Sequence, residues 1–314
     1  MTRTISRAEV EALAIPLDDI ARNVADAFCA GATGDIVWKP KTMLASEGGA
    51  FQMSTFAAWR RRDLSLFHML VGPTSEAVEG GAPGYLSRQL VFERASGSPI
   101  ALLDGTYTSN VLPVAIGRTL AKLLARPRTG VATIIGAGVQ ARMNLEALDG
   151  VLPIEEVRII TRTAKSAESF CEFIRQRGQK PVIVEVGPQA LKGADIVIST
   201  IPASPGLKPF LDPEWVEPGT FVNVVDLGRS WKNSFSKFDR VIVDDRIQAE
   251  QQHKDGRLLH GGPFDSEIAD VLTGTKPGRV AESERIVLIH PGNVVGVMGV
   301  TTAVLSAFRA CGAV

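Results

Sequence analysis

The stretch that decides the fold is Val131-Ala-Thr-Ile-Ile-Gly-Ala-Gly-Val-Gln-Ala-Arg-Met-Asn-Leu145. A β-branched, apolar run ends at Gly136, turns through Gly136-Ala-Gly138 and continues into residues that favour a helix. Gly136 allows the tight turn, Gly138 lets the backbone approach a phosphate closely, and Ala141 completes a G-x-G-x-x-A pattern. The helix then begins with unpaired N–H groups and a positive dipole end. The stretch predicts a binding site for the pyrophosphate of a dinucleotide. The predicted contacts are Gly136, Gly138, Val139 and Gln140.

Downstream of this turn, apolar strands alternate with helical segments up to about residue 292. Strands at this spacing, joined by helical crossovers, predict a parallel sheet covered by helices. The predicted strands are 131–135, 157–161, 181–186, 194–200, 221–225, 241–244 and 286–290, and the first predicted helices are 139–148 and 164–177. The fold class is therefore α/β, with a Rossmann-type parallel sheet domain.

The remainder of the chain has a different pattern. Apolar residues at helical spacing predict a short helix up to about Ala14 and a second helix from Pro16, because the proline interrupts the first. Short apolar runs separated by Gly, Pro and Ser predict antiparallel strands over 36–103. Two more helices are predicted at 113–126 and 300–311. The predicted domains are 1–112 together with 293–314, a smaller α+β domain, and 113–292, the Rossmann domain.

Composition and charge narrow the functional classes. The formal net charge is zero and 45% of the residues are hydrophobic, which favours a globular protein without a nucleic-acid or membrane partner. No uncharged apolar run reaches the roughly 18 residues that span a bilayer, and the first ten residues hold no signal-peptide core. The three cysteines lie far apart without metal-ligand spacing, which predicts reduced thiols and no metal site. We expect a cytoplasmic protein.

The ends of later strands supply the other predicted cofactor contacts. An acidic residue after the second strand of such a sheet binds the ribose 2′-OH of NAD, whereas a basic residue accommodates the 2′-phosphate of NADP. Here that strand ends in Ile160-Thr-Arg-Thr163, without a carboxylate. Arg162 either contacts the cofactor, at a 2′-phosphate or on adenine, or is a solvated surface residue; the first interpretation favours NADP(H). The predicted contacts are Arg162, Thr163, Thr200, Ile201, Pro202, Val225, Asp226 and Leu227.

Six segments together resemble the ornithine cyclodeaminase/mu-crystallin family over nearly the whole chain. They are Ser96–Gly105, Ala121–Pro127, Ile135–Arg142, Ala194–Thr200, Val243–Asp245 and Gly278–Arg279. The resemblance implies a Rossmann domain, a substrate-binding and dimerisation domain built from the two ends of the chain, and a homodimer. It also implies hydride transfer at the α-carbon of an amino acid: ketimine reduction, amino-acid dehydrogenation, or cyclisation with loss of ammonia. Ile160–Thr163 is similar to the corresponding segment of the mu-crystallin branch, in which this segment is associated with NADPH binding.

The substrate side departs from the family's pattern. Gly228 occupies the position of the family's acid/base aspartate, although Lys232 is retained. Asp226 either replaces that aspartate or caps the strand turn, and we favour the cap. His68, or the adjacent Phe67, occupies the position of the family's substrate lysine.

Two further positions complete the comparison of substrate residues. Leu112 occupies the position of the family's carboxylate-binding arginine, and Lys41 that of a basic residue in an early proline-containing segment. His68 is the best titratable candidate because the unperturbed pKa of histidine lies near neutrality; the alternative is a buried core residue. Lys41 is either a carboxylate contact or a solvated lysine, and Arg60 is a candidate second contact. The predicted catalytic residues are His68 and Lys41, and the predicted substrate-binding residues are Lys41, Arg60, His68 and Lys232.

These departures favour reduction of a preformed imine, because cyclodeamination needs proton transfers that Gly228 cannot perform. Relocated basic groups suit a small dianionic imine, and within the family this resembles the iminosuccinate reductases, which form L-aspartate. That branch goes with NADH whereas Arg162 favours NADPH, so we predict NAD(P)H. The alternatives are a cyclic ketimine reductase, an amino-acid dehydrogenase, and a non-catalytic protein that binds a ligand as mu-crystallin does.

Overall fold

The computed structural model describes residues 2–204 and 206–312. Two compact units divide the chain: one is Ile116–Pro291, and the other combines the residues up to Ala115 with those from Gly292 onward. The strands are β1 (Arg3–Ile5), β2 (Ile36–Ala45), β3 (Phe51–Trp59), β4 (Leu64–Gly72), β5 (Leu86–Glu93), β6 (Pro99–Asp104), β7 (Val131–Ile135), β8 (Glu156–Ile160), β9 (Lys180–Ile183), β10 (Ile196–Ser199), β11 (Phe221–Val224), β12 (Arg240–Val243), β13 (Ser266–Glu267) and β14 (Ile286–Ile289). The helices are α1 (Arg7–Ala12), α2 (Leu17–Ala32), α3 (Ser75–Glu79), α4 (Thr106–Leu124), α5 (Val139–Glu146), α6 (Ala164–Gln176), α7 (Pro188–Leu191), α8 (Arg246–Lys254), α9 (Ile268–Thr273) and α10 (Val294–Ala310).

The first unit, which contains both ends of the chain, holds a six-stranded sheet in the order β1-β6-β5-β4-β3-β2. Strands β2 to β6 pair antiparallel, as predicted, whereas β1 pairs parallel to β6. Helices α2 and α10 pack against this sheet. Every second residue of β3 from Met53 to Trp59 is buried, because alternate side chains of a strand point to opposite faces. One face of the sheet therefore belongs to the core and the other is more exposed.

Helices α2 and α10 approach each other closely at Gly299. A side-chain carbon built at Gly299 would lie 2.7 Å from the Cα atom of Val24 and 2.7 Å from the carbonyl oxygen of Asn23. Only glycine permits this approach of two backbones. Since most of α10 is buried, this helix forms the centre of the first unit's core.

The second unit holds eight parallel strands in the order β9-β8-β7-β10-β11-β14-β12-β13. Strands β7, β8 and β9 extend to one side, and β10 and β11 extend to the other. The side of the sheet to which successive strands are added thus changes between β7 and β10. Doubly wound sheets bind ligands at such a position, at the carboxyl ends of their strands. All residues of β10, β11 and β14 are buried, as expected when helices cover both faces of a parallel sheet. The predicted α/β class with a Rossmann-type sheet is confirmed.

Two predicted helix boundaries are wrong, and local hydrogen bonds explain the difference. Helix α4 begins at Thr106 rather than at residue 113, because the Asp104 carboxylate accepts the backbone N–H of Thr106 at 2.8 Å. Pro113 therefore lies inside the helix. Helix α10 begins at Val294 rather than at residue 300, because the Asn293 side chain accepts the N–H of Val295 at 2.6 Å. In both places a capping side chain stands several residues before the apolar pattern becomes regular.

Candidate functional site

The turn after β7 has the geometry that its glycines predict. Gly136 has a φ of +107°, and a side-chain carbon built there would lie 2.6 Å from the Thr200 hydroxyl oxygen. Thr200 is fixed in turn, because its backbone N–H and its hydroxyl both donate to the carbonyl oxygen of Ile135 at 2.9 Å. Both the backbone angle and the close neighbour therefore require glycine at position 136.

Gly138 is different, because it is open rather than crowded. It is the N-cap residue of α5 with extended backbone angles, and no heavy atom of the described residues lies within 4 Å of a side-chain carbon built there. Within the described part of the chain, no side chain caps the first turn of α5. The start of α5 is therefore not capped by a side chain of the described residues, and the space beside Gly138 allows an anion to approach it.

A cleft of roughly 570 Å³ extends from this turn along the carboxyl ends of β7, β8 and β10. Six of the predicted cofactor residues line it: Gly136, Gly138, Arg162, Thr163, Ile201 and Pro202. The other predicted cofactor residues, Val139, Gln140, Thr200, Val225, Asp226 and Leu227, lie beside the lining or at the next strand end, and their contact with a cofactor stays a prediction. The cleft also contains residues that the sequence analysis did not single out, among them Ser166, Lys208 and Phe210.

The charge of the cleft bears on which dinucleotide it accepts. Arg162 and Lys208 contribute two cations, and none of the described lining residues is a carboxylate. Thr163 is the N-cap of α6, where its hydroxyl oxygen accepts the Ser166 N–H at 3.2 Å. Arg162, Thr163 and Ser166 therefore follow β8 where an NAD-specific site has an acidic residue.

Asp226, which follows β11, is buried and its carboxylate is held by hydrogen bonds. Its carboxylate accepts the hydroxyl of Ser199 at 2.9 Å, the N–H of Gly228 at 3.1 Å and the hydroxyl of Ser230 at 2.5 Å. Burial raises the pKa of Asp226, and these hydrogen bonds oppose that shift. The contacts agree with the second interpretation of Asp226, a cap that holds the loop after β11.

Gly228 cannot simply be replaced by the family's aspartate in this fold. Its φ is +83°, and a side-chain carbon built there would lie 2.6 Å from the Cβ atom of Leu259. A side chain at 228 would therefore require the backbone and Leu259 to move. Lys232, the retained lysine, lies with its ammonium group 5.3 Å from the centre of the Trp215 ring, and its proposed substrate contact stays a prediction.

In the first unit, polar side chains form a row on the buried face of the sheet. Thr55, His68 and Gln89 are direct partners across β3, β4 and β5, and their exposed fractions are 1%, 3% and 0%. The Gln89 carbonyl oxygen accepts the hydroxyl of Thr301 at 2.9 Å. A buried row of this kind is unusual in a core, because each polar group needs a hydrogen-bond partner.

His68 does not keep the near-neutral pKa of a free histidine side chain. Burial, and secondarily the positive charge of Lys41, lower the pKa of His68 to about 3. The ring is therefore neutral at physiological pH. Its Nε2 atom lies 2.9 Å from the Ser87 hydroxyl, and its Nδ1 atom has no hydrogen-bond partner among the described residues.

The structure brings Lys41 and His68 together but not Arg60. Lys41 is close enough to His68 to affect its pKa. Arg60 directly follows β3, five residues beyond Thr55, and its guanidinium donates to the carbonyl oxygen of Gly34. At about 3.3 Å per strand residue, Arg60 lies roughly 16 Å along the strand from the row that contains His68.

Three other sequence features can now be placed. His260, in the loop before β13, is 1% exposed and packs edge-on against Phe264. The three cysteines form no disulfide. Over residues 2–204 and 206–312, no helix is long and apolar enough to cross a membrane, and no cluster of three or more His, Cys, Asp or Glu could hold a metal ion.

The chain belongs to the ornithine cyclodeaminase/mu-crystallin family, whose model matches residues 2–301. An alanine dehydrogenase of Archaeoglobus fulgidus is 29% identical over 293 residues, which cover 90% of this chain and 88% of the relative. The ketimine reductase mu-crystallin of Macropus fuliginosus is 30% identical over 260 residues, which cover 80% of this chain and 79% of the relative. A solved structure of Δ1-pyrroline-2-carboxylate reductase from Thermococcus litoralis, in complex with NADH and L-proline, is similar in fold. It aligns with a TM-score of 0.85 at 23% identity, and the alignment covers 99% of this chain and 98% of that chain.

Some site residues were missed because their signals are weak in a single sequence. Ser87 and Gln89 are successive inward residues of β5, followed by Val91, so counting inward positions along that strand would have identified them. Lys208 and Phe210 lie in an irregular loop, whose course depends on tertiary contacts rather than on a local pattern.

Proposed function

We propose that the protein is an NAD(P)H-dependent oxidoreductase that reduces the imine of a small amino acid. The turn with a crowded Gly136 and an open Gly138 carries this proposal, because it combines an enforced backbone conformation with free space at a helix N-terminus. Family membership supports it, since the relatives named above include an alanine dehydrogenase and a ketimine reductase. The cofactor supplies a hydride when it is bound, and the protein's residues bind, orient and protonate.

The groups in the cleft have distinct proposed roles in cofactor binding. The amide groups at the start of α5 bind the pyrophosphate, and Gly138 leaves room for it. Arg162, Thr163 and Lys208 lie where an adenosine ribose would extend after β8, and their charge favours the additional phosphate of NADPH over NADH. Comparison of the dissociation constants of NADPH and NADH tests this preference; equal constants would contradict it.

The substrate side has fewer cations than the sequence suggested. His68 is neutral, Arg60 is bonded elsewhere, and Lys41 is the cation that acts on the buried row. Lys41 beside neutral donors matches one carboxylate better than two. We keep iminosuccinate, which would give L-aspartate, as the specific candidate inferred from the family. A monocarboxylic imine, either cyclic or formed from pyruvate and ammonia, is the alternative that this charge count favours.

A substrate panel distinguishes these candidates. The purified protein is mixed with NADPH or NADH and with iminosuccinate, Δ1-pyrroline-2-carboxylate, or pyruvate plus ammonia, and loss of the reduced cofactor is followed by absorbance. Reduction of at least one imine is expected. Consumption of none, although the cofactor binds, would overturn the proposal. Ammonia release from ornithine is not expected, because Gly228 cannot transfer a proton.

A non-catalytic binding protein is the second candidate, supported by two specific observations. Position 228 is a glycine that the backbone requires, and Leu112, at the family's arginine position, is a buried apolar residue with 4% exposure. This candidate predicts tight cofactor binding, no turnover with any of the imines, and an aromatic ligand that binds in the presence of cofactor. The panel above, together with calorimetry, separates it from the reductase.

We also propose a cytoplasmic homodimer. The exposed face of the first unit's sheet carries apolar residues that are unusual at a surface, including Val37 at 53% exposure, Leu44 at 66% and Phe56 at 51%. Phe56 stacks on Phe67 with their ring centroids 5.0 Å apart. Contiguous apolar surface of this kind typically marks an interface. Sedimentation equilibrium tests the dimer, and a monomer at micromolar concentration would contradict it.

A further inference from the structure

One wall of the cofactor cleft in the second unit has no regular secondary structure. This cleft wall is the segment 200–210 after β10, whose described residues form neither helix nor strand. Four of its residues line the cleft with side chains that differ in chemistry: Ile201, Pro202, Lys208 and Phe210. Because no helix or strand ladder holds the backbone of the cleft wall, its position depends on contacts at its two ends. At the first end, Thr200 donates twice to the carbonyl oxygen of Ile135.

The second end of the cleft wall is attached to the loop that follows β11. The backbone N–H groups of Phe210 and Leu211 both donate to the carbonyl oxygen of Ser230, at 2.9 and 2.8 Å. The N–H of Lys232 donates in return to the carbonyl oxygen of Leu211 at 2.7 Å, and Leu211 and Trp231 form a parallel bridge. The position of Phe210 in the cleft therefore depends on where the loop after β11 lies.

That loop is itself held by the buried side chain of Trp231. The indole Nε1 donates to the hydroxyl oxygen of Ser199 at 3.1 Å, and the Ser199 hydroxyl donates to the carboxylate of Asp226 at 2.9 Å. Asp226 also accepts the hydroxyl of Ser230, and the Trp231 ring packs edge-on against Phe235 with ring centroids 5.3 Å apart. A buried indole N–H needs an acceptor. The arrangement therefore fixes the loop after β11 to the end of β10.

The sequence between the attachment and the exposed cation of the cleft wall is stiff. Lys208 is exposed and lines the cleft, and it is separated from Phe210 by Pro209 alone. The proline ring fixes its own φ and restricts the backbone of the residue before it. A displacement of Phe210 is therefore passed on to Lys208. Trp231 is fully buried and does not line the cleft, so it can act on a ligand there only through the cleft wall.

We propose that Trp231 is a positioning residue that holds the cleft wall so that the ammonium group of Lys208 faces the phosphate groups of a bound dinucleotide. This inference rests on the proposed NAD(P)H-dependent function. A dinucleotide with a 2′-phosphate gains more from a correctly placed cation than one without it, because a charge-assisted contact to phosphate is stronger than a neutral contact. Trp231 thereby contributes to the preference for NADPH over NADH without touching either.

Two matched tryptophan variants test this role. Trp231→Phe keeps an aromatic ring but removes the indole N–H. Trp59→Phe is the control: Trp59 is also buried and its Nε1 donates to the carboxylate of Asp35 at 2.8 Å, but it belongs to the first unit. The dissociation constants of NADPH and NADH are measured by calorimetric titration, and melting is followed without cofactor. We expect Trp231→Phe to weaken NADPH about tenfold and NADH about threefold or less. The control should lose stability but bind both dinucleotides like the wild type.

A double-mutant cycle with Lys208→Gln separates positioning from a general loss of stability. If Trp231 acts through Lys208, adding Trp231→Phe to Lys208→Gln should leave the ratio of the NADPH and NADH dissociation constants unchanged. Ser199→Ala is a second variant for the case in which Trp231→Phe does not fold. It removes the acceptor of the indole N–H with a smaller change in volume, and it should also weaken NADPH more than NADH.

The outcomes distinguish this inference from the proposed function, because the titrations require no turnover. Equal losses of NADPH and NADH affinity in the folded Trp231→Phe or Ser199→Ala protein would overturn the positioning role. A selective loss of NADPH affinity that persists in full in the Lys208→Gln background would overturn it as well. A wild type that binds NADPH but reduces none of the imines overturns the proposed function, and the same titrations still decide the role of Trp231.

Discussion

The two glycines of the turn after β7 should respond to the same substitution in opposite ways. Gly138→Ala places a methyl group where no described heavy atom lies within 4 Å, at a φ of −82° that alanine adopts. Alanine is a poorer N-cap than glycine, but it also restricts the unfolded chain by about 0.4–1 kcal/mol. These effects nearly cancel, so the melting temperature should change by about 2 °C or less. The methyl group meets the pyrophosphate instead, and overpacking of about 1–3 kcal/mol weakens cofactor binding about 5- to 150-fold.

Gly136→Ala is the matched variant. Its methyl group would meet the Thr200 hydroxyl at 2.6 Å, at a φ of +107°. Backbone strain of about 1–2 kcal/mol adds to overpacking of about 1–3 kcal/mol, so the free protein itself should be less stable. Calorimetric titration with NADPH and thermal melting without cofactor separate the two effects. A Gly138→Ala protein that binds NADPH like the wild type would refute the argument, and so would one that melts as early as Gly136→Ala.

Further predictions concern charge and protonation. Arg162→Ala should weaken NADPH about tenfold more than NADH, as measured by fluorescence titration; equal losses would remove Arg162 as a 2′-phosphate contact. Asp226→Asn should lower the free energy of unfolding by about 1–3 kcal/mol, because a carboxylate that accepts three hydrogen bonds is lost, and the pH profile of kcat should stay unchanged. A large loss of kcat at unchanged stability would instead identify Asp226 as an acid. The pKa values of His68 and His290 are lowered to about 3 and about 4. Below pH 6.5 the unfolded chain therefore binds more protons than the folded one, and the free energy of unfolding falls as the pH falls. From pH 7.5 to pH 5, each histidine should lower the free energy of unfolding by about 2 kcal/mol. His68→Gln should reduce this pH dependence in urea titrations, and an unchanged dependence would contradict the burial of a neutral ring.

The parallel sheet could be predicted because its signals are local. Each central strand is a short apolar run, and the glycines of Gly136-Ala-Gly138 mark the turn directly. The start of α10 could not be found in the same way. Its first turns contain Gly296 and Gly299, which lower helix propensity, and Gly299 is explained only by the backbone of α2 that approaches it.

The substrate side was predictable in part. The position of His68 on a strand followed from the sequence, but its neutral state follows from burial and from Lys41. Both depend on the tertiary structure. Arg60 was selected by residue type, and only the strand register shows that it lies far from His68. The closeness of Gly228 to Leu259 likewise depends on a loop 31 residues later. The sequence therefore revealed that the aspartate is absent, but not that Leu259 leaves no room for a side chain at position 228.

Transfer of deuterium from the cofactor to the substrate tests the central claim most directly. The protein is incubated with NADPH or NADH that carries two deuterium atoms at C4 of the nicotinamide, together with the imine panel, and the amino-acid product is analysed by mass spectrometry. We predict one deuterium at the α-carbon of the product and none on its nitrogen after exchange with H₂O. A protein that binds the cofactor but yields no deuterated amino acid from any imine would contradict the account.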